Sequence, residues 1–395
     1  MSTIAETWGI HPQQFWLLGQ IPNEAVEHRP DLGIWYVYGY EEALRVLSDP
    51  ATFSSNTNRK VPETAEFTEG NIIQLDPPEH RKLRNLVSHA FTPKIIANLE
   101  PRIAELTHEL LDEAADRDHL ELVADLAYPL PVIVIAELLG VPASDRGLFK
   151  TWVDNIFDST QQFSLADKSA EQEREMKAAI EQIKNFTAYL GEHVTQRRRN
   201  PGEDLLSKLV EAEVDGERLT DAQVVNFALV LLIAGHITTT MLLGNTTLCL
   251  DRNPAAAARV RADRTLIAAA IEESLRYLSP FAAVSRVTNA EIQLGNQTIP
   301  NDELLLIWIA AANRDPRQFT APDTYDITRD PNPHLAFGRG IHFCIGAPLA
   351  RLEGRVALNI LLDRYPTLRT DPQSPPEFLP NPNMTGVRTL PLLTH

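Results

Sequence analysis

The segment with the sharpest chemical character is Phe337-Gly338-Arg339-Gly340-Ile341-His342-Phe343-Cys344-Ile345-Gly346, which leads into Ala347-Pro348-Leu349-Ala350-Arg351 at the head of an apolar helical run. Glycines on both sides of a cysteine let backbone approach something flat and bulky, because no Cβ intervenes. The helix start that follows offers free N–H groups and partial positive charge, which favour thiolate over thiol and make Cys344 a soft anionic ligand. Three fates compete for it. A buried structural thiol, the commonest fate of a lone cysteine, needs neither the flanking glycines nor Phe337. A zinc ligand needs partners, and only His334 and His342 lie nearby. A thiolate ligand to haem accounts for the glycines, the helix start and the lack of other cysteines, and it is the preferred reading.

Other groups carry weaker signals. In Leu231-Leu232-Ile233-Ala234-Gly235-His236-Ile237-Thr238-Thr239-Thr240, the glycine costs about 1 kcal/mol in a helix interior and asks for a reason. Thr238 lies three and four positions beyond Gly235 and Ala234, so the three share a face with a small hollow beside one hydroxyl. The plainer alternative is a close helix crossing, with the threonines bonding back to their own helix. Glu273 and Arg276 are one turn apart and form either a shielded pair or a solvated bridge of little weight. In Asp76-Pro77-Pro78-Glu79-His80-Arg81-Lys82-Leu83-Arg84, His80 and Arg84 fall on one helical side.

Taken together these segments resemble the cytochrome P450 family. Its haem-ligand signature runs Phe, Gly, two variable positions, a His- or Arg-bearing stretch, Cys, a variable position and Gly, matched here by Phe337, Gly338, His342, Cys344 and Gly346. The resemblance extends from about residue 30 to the C-terminus. It implies haem b with Cys344 as the axial iron ligand, and propionates held by His80, Arg84, Arg286 and His342. Glu273, Arg276 and Arg329 would form a structural triad serving the fold and not the chemistry. Ala234, Gly235 and Thr238 would form the oxygen site, with Thr238 steadying bound oxygen and organising water. One departure stands out: relatives of this type read Ala-Gly-x-acid-Thr, and the acid position here is Ile237, so the usual proton relay is missing. Ordered water or a polar group on the substrate would have to replace it. His236 should face another side of the helix.

The resemblance further implies a monooxygenase that hydroxylates or epoxidises a medium-sized, largely apolar organic molecule, in natural-product or antibiotic biosynthesis. Rearrangement, dehydration or peroxide-driven chemistry is the alternative that Ile237 raises, and a non-catalytic haem sensor or electron carrier stands below it. Pocket candidates are Val61, Phe67, Ile72, Ile237, Phe281, Val284 and Met384, on walls expected from 55–73, 152–165, the central helix, 281–284 and 383–386. Electrons would come from NAD(P)H through a separate ferredoxin and ferredoxin reductase, because no Rossmann or flavin-binding extension is present. Arg81, Lys82, Arg339 and Arg351 are candidates for the docking patch.

These residues need a helical frame. Apolar stripes at helical spacing recur at Ile103 to Leu111, Val132 to Leu139, Ala178 to Val194, Ala222 to Leu250, Leu266 to Tyr277 and Leu349 to Leu362. Strand signals sit at Ile34 to Tyr38 and through Val284 to Ile309. The expected fold is mainly α with a small β region, as one domain over 1–395 enclosing haem. With 36 basic and 53 acidic residues in 395, the net charge of −17 argues against binding nucleic acid or anionic membrane. Two cysteines exclude a disulfide scaffold and fit a reducing compartment. The apolar run Phe227 to Ala234 is shorter than the roughly 20 residues of a bilayer span, and no signal-peptide pattern opens the sequence. A cytoplasmic monomer is expected.

Overall fold

The computed structural model describes residues 8–20, 22–62, 69–88, 91–114, 117, 119–157, 164–166, 169–214 and 216–395, with Phe157 and Val214 as backbone only. Phe67 lies outside the described residues. The helix Asp221–Arg252 runs through the core and is buried on nearly every side, which is why its sequence reads apolar all round and not as a stripe. Its start is fixed by a reciprocal cap: the Gln223 N–H donates to Thr220 Oγ1 at 3.1 Å, and the Thr220 N–H donates to Gln223 Oε1 at 3.0 Å. The expected stretch Ala222 to Leu250 covers nearly all of this helix, but its apolar content exceeds what the run Phe227 to Ala234 suggested. Its mean hydropathy reaches 1.9 over a window of membrane-spanning length, of which 72% is buried inside the protein.

Around it pack Pro129–Leu139, Ala170–Arg199, Ile267–Tyr277 and Ala347–Arg364. The C-terminal segment closes on the same helix. A Cβ on Gly244 would meet Val387 at 2.5 Å, and one on Gly386 would run into the Met241 side chain, so both glycines permit a contact that alanine would block.

The β region is a sheet of β1 (Val26–Arg29), β2 (Ile34–Val37), β3 (Phe53–Ser54), β4 (Val284–Thr288) and β5 (Leu304–Ile307), in the order β1-β2-β5-β4-β3. Only the β5–β2 pair is parallel, with Leu306 opposite Tyr36. A hairpin of Ile292–Leu294 and Gln297–Ile299 stands beside it. Val284 and Arg286 are two apart on β4 and therefore leave the same face of the sheet. That places both in one cavity wall.

Candidate active site

Two glycines shape the cysteine loop. Gly338 and Gly340 both have φ of +69°, and a Cβ on Gly340 would lie 2.5 Å from the Leu47 carbonyl oxygen. The Cys344 N–H then donates to Phe337 O at 2.9 Å, closing the loop just before the helix Ala347–Arg364. Gly340→Ala should lower stability by about 1–3 kcal/mol, the usual cost of a forced left-handed residue, and more than Gly338→Ala, whose Cβ meets nothing nearer than 3.7 Å. Paired thermal unfolding curves check the ranking.

Cys344 faces a cavity of about 500 Å³. Burial pushes its thiol up, against the N–H groups of Gly346 and Ala347 and the charges of Arg84 and Arg351, which pull the other way. The helix start therefore acts in the expected direction but is outweighed by desolvation, and full ionisation falls to a bound metal, which deprotonates a coordinating thiol. Among the described residues no group of three or more His, Cys, Asp or Glu could hold a metal ion by itself.

On one side of the cavity four basic side chains converge. His80, Arg84, Arg286 and His342 all line it. The His80 and His342 rings lie 4.3 Å apart, and burial, together with the nearby arginine charges, depresses both imidazoles, His342 to about 3. Arg286 is 7% exposed and lowered to about 10 by burial, and its Nη1 donates only to the Ser285 carbonyl. His80 Nε2 is buried with no partner. His342 Nε2 is held by Ser55 Oγ at 2.8 Å, and the Ser55 N–H donates to Asp76 at 2.8 Å. A buried guanidinium, a half-buried second one and two neutral imidazoles, with His80 Nε2 unspent, define a place for an anion, and a flat group carrying two carboxylates fits it.

Across the cavity, the central helix contributes Ala234, Gly235 and Thr238. A Cβ on Gly235 would meet only Ile135, at an ordinary 3.6 Å, so no helix crossing demands glycine there. The open face is toward the cavity. Thr238 Oγ1 donates to the Ala234 carbonyl at 2.6 Å, so its proton is committed and only lone pairs face inward. Thr239 and Thr240 likewise donate to Gly235 O and His236 O. His236 is turned away from the cavity, 1% exposed and edge-on to Tyr128 at 4.6 Å, and burial drives its imidazole down to about 3.

Ile72, Phe281 and Val284 stand in the cavity wall. Val61, Ile237 and Met384 stand apart from it: Ile237 is 6% exposed in the core, and Met384, 1% exposed, is bridged to Phe281 through backbone. Nor does the 152–165 region reach the wall among its described residues. Trp152 instead packs with Phe149, Phe186 and Tyr189.

Glu273 and Arg276 form a fully buried pair at 2.7 Å, and Arg329 approaches Glu273 at 3.4 Å. The pair also organises the cysteine loop. Arg276 donates to the carbonyls of Asn313, Pro322 and Thr324, and the Asn313 side chain accepts from the Leu335 N–H at 2.7 Å. Asn332 adds a donor to Glu273 at 3.1 Å. Of the four docking candidates, Lys82 is paired with Glu217 at 2.6 Å, and Arg351 is bonded twice to Glu272 at 2.7 Å over the Phe337 ring. Arg81 and Arg339 are exposed.

A thiol at the head of a helix, a basic wall beside it and a small hollow opposite all line one cavity. The chain belongs to the cytochrome P450 family, whose model matches residues 19–394. It is 42% identical to the cyclomarin C epoxidase CymV of Salinispora arenicola, over 95% of this chain and 94% of that one, and 41% identical to the erythromycin C-12 hydroxylase of Saccharopolyspora erythraea, over 94% and 92%. Among solved structures, HmtN, a post-tailoring hydroxylase involved in himastatin biosynthesis, superposes with a TM-score of 0.88 at 54% identity, over the whole of both chains. Haem and dioxygen-dependent monooxygenation come with the family, and this chain is such an enzyme.

Proposed function

We propose that the enzyme hydroxylates or epoxidises a largely apolar natural product in the cavity between Thr238 and the ligand loop. The observation that carries this reading is the meeting of Cys344, the four basic side chains and the Gly235 hollow in one cavity whose remaining wall includes Ile72, Phe281 and Val284. The tailoring roles printed for the cyclomarin, erythromycin and himastatin enzymes support a substrate of that kind. Bound here, haem b supplies oxygen activation and insertion of one oxygen atom into substrate. Cys344 would ligate its iron, His80, Arg84, Arg286 and His342 would hold its carboxylates, and Phe337, Gly338 and Gly346 would line its cysteine side. Thr238, its proton already spent, accepts from a water and so fixes where that water donates. NAD(P)H, a ferredoxin and its reductase supply electrons, and the exposed Arg81 and Arg339 leave a smaller docking patch than four free cations would. The enzyme is read as a cytoplasmic monomer, one domain over its full length.

Arg286→Leu separates cofactor binding from stability. Haem should leave roughly 30-fold faster, about 2 kcal/mol for a lost charged hydrogen bond, while the haem-free protein holds or gains stability because a buried cation is gone. Transfer of haem to an apoglobin acceptor and urea unfolding of the haem-free protein measure the two sides. The reading as a whole is tested by screening small organic compounds for the optical spin-state change of a haem whose water is displaced. Failure of every apolar compound of suitable size to give that change would count against the proposed substrate class.

A further inference from the structure

Glu272 and Glu273 are neighbours on the helix Ile267–Tyr277, so their side chains leave it about 100° apart and serve different partners. Glu273 turns to Arg276 and Arg329. Glu272 turns to the cysteine loop and to the helix that follows it. Its Oε1 accepts from Arg351 Nε and its Oε2 from Arg351 Nη2, both at 2.7 Å, and Oε2 also meets His334 Nε2 at 3.0 Å. The His334 side chain is 3% exposed, and its Nδ1 accepts from the Ala336 N–H at 3.3 Å, so the ring proton sits on Nε2 and goes to Glu272. Held in this way, the Arg351 guanidinium lies over the Phe337 ring, 4.5 Å from its centre, and Phe337 O accepts the Cys344 N–H. Resting on the haem-thiolate reading of this cavity, we infer that Arg351 is a positioning residue whose charge sets the electron density of the Cys344 sulfur, and so how readily a bound haem takes up an electron, with Glu272 and His334 fixing where that charge stands.

Burial pushes the Cys344 thiol up, and the charges of Arg84 and Arg351 pull it back. Arg84 is assigned to the haem carboxylates, which offset its charge, so Arg351 is the cation left to act on the sulfur. The Phe337 ring covers the guanidinium on the side that faces the loop and keeps water from it, so the charge is screened less there than on its solvent side. Glu272 stays ionised throughout the neutral range: burial resists its charge, but the bonds from Arg351 and His334 hold it at about 2. The carboxylate thus does two things. It stops the half-buried guanidinium from swinging into solvent, and it offsets part of the positive charge from the far side. Uptake of one electron adds one negative charge beside the sulfur, which a cation at Arg351 favours and a carboxylate at Glu272 opposes. The effect is electrostatic, and no proton moves in it.

Redox titration of the haem-loaded protein against a reference dye tests the sign. Arg351→Leu should lower the one-electron reduction equilibrium constant about tenfold, and Glu272→Gln, which leaves the arginine without its counter-charge, should raise it by a smaller factor. Arg351→Lys should recover most of the loss, because it keeps the charge and gives up only the two-pronged bond. In the reduced, CO-bound protein the C–O stretching band should move to lower frequency in Arg351→Leu, as more sulfur electron density reaches the iron, and to higher frequency in Glu272→Gln. A bridge with a merely structural role predicts something else: thermal unfolding of the haem-free variants would show both weakened, with reduction constant and C–O band unmoved or moved the same way in both. Either of those outcomes would overturn the inference. Glu272→Gln keeps the shape of the bridge and decides the matter by its own sign should Arg351→Leu fail to take up haem. The wild-type CO spectrum keeps the two levels apart: a red-shifted Soret band upholds the haem-thiolate reading whatever the variants do, and its absence would remove that reading itself.

Discussion

Arg276→Met is expected to cost about 3–5 kcal/mol, a large share of the 5–15 kcal/mol that holds an ordinary fold together. The guanidinium is fully buried and bonds Glu273 twice, at 2.9 and 2.7 Å. Its remaining donors go to the carbonyls of Asn313, Pro322 and Thr324. Methionine fills much of the volume but leaves a buried carboxylate and three carbonyls without that partner, each of which had water in the unfolded chain. Because Asn313 also positions Leu335, the damage should reach the cysteine loop, and haem incorporation should fall with stability. Denaturant unfolding measures the loss, and a Glu273→Leu/Arg276→Met double variant should be less destabilised than the two singles summed. A single-variant cost under about 1 kcal/mol would show that the pair is not the structural support its geometry indicates.

Cys344→Ala should abolish product formation while leaving the fold in place. The sulfur lines the cavity, and its backbone N–H bond to Phe337 does not depend on the side chain. Losing one atom from the wall costs about 1 kcal/mol or less in stability. A haem bound without that thiolate would lack the soft anionic ligand that the proposed function assigns to Cys344, and its oxygen activation would fail with it. Product assays paired with thermal unfolding distinguish a dead site from an unfolded protein. Product formation near the wild-type rate would mean that another residue ligates the iron.

What the sequence could reveal depended on how local each signal was. The long helices were legible because their apolar stripes repeat over many turns, and Val284–Thr288 and Leu304–Ile307 because glycine, proline and asparagine punctuate them. Phe53–Ser54, two residues long, carries no periodicity and exists only because Thr288 and Val287 lie opposite it. Within the site, residue type and spacing inside one segment singled out Cys344, whereas the roles expected of His80 and Arg276 came only from the family resemblance. Neither signal reached the supports: Ser55 meets His342 across 287 positions, and Asn313 and Asn332 are ordinary loop residues until the fold brings them to Arg276 and Glu273. Met384 and Ile237 failed as wall candidates for the same physical reason: an apolar side chain beside a cavity and one beneath it look identical in sequence.

The central claim, a haem held by Cys344 as thiolate, is tested most directly by the absorption spectrum of the haem-loaded protein after reduction and exposure to CO. The Soret band should be shifted far to the red, as thiolate ligation requires, and Cys344→Ala should lack that band. A CO spectrum at the position typical of histidine-ligated haem in the wild-type protein, or one unaffected by Cys344→Ala, would contradict the account.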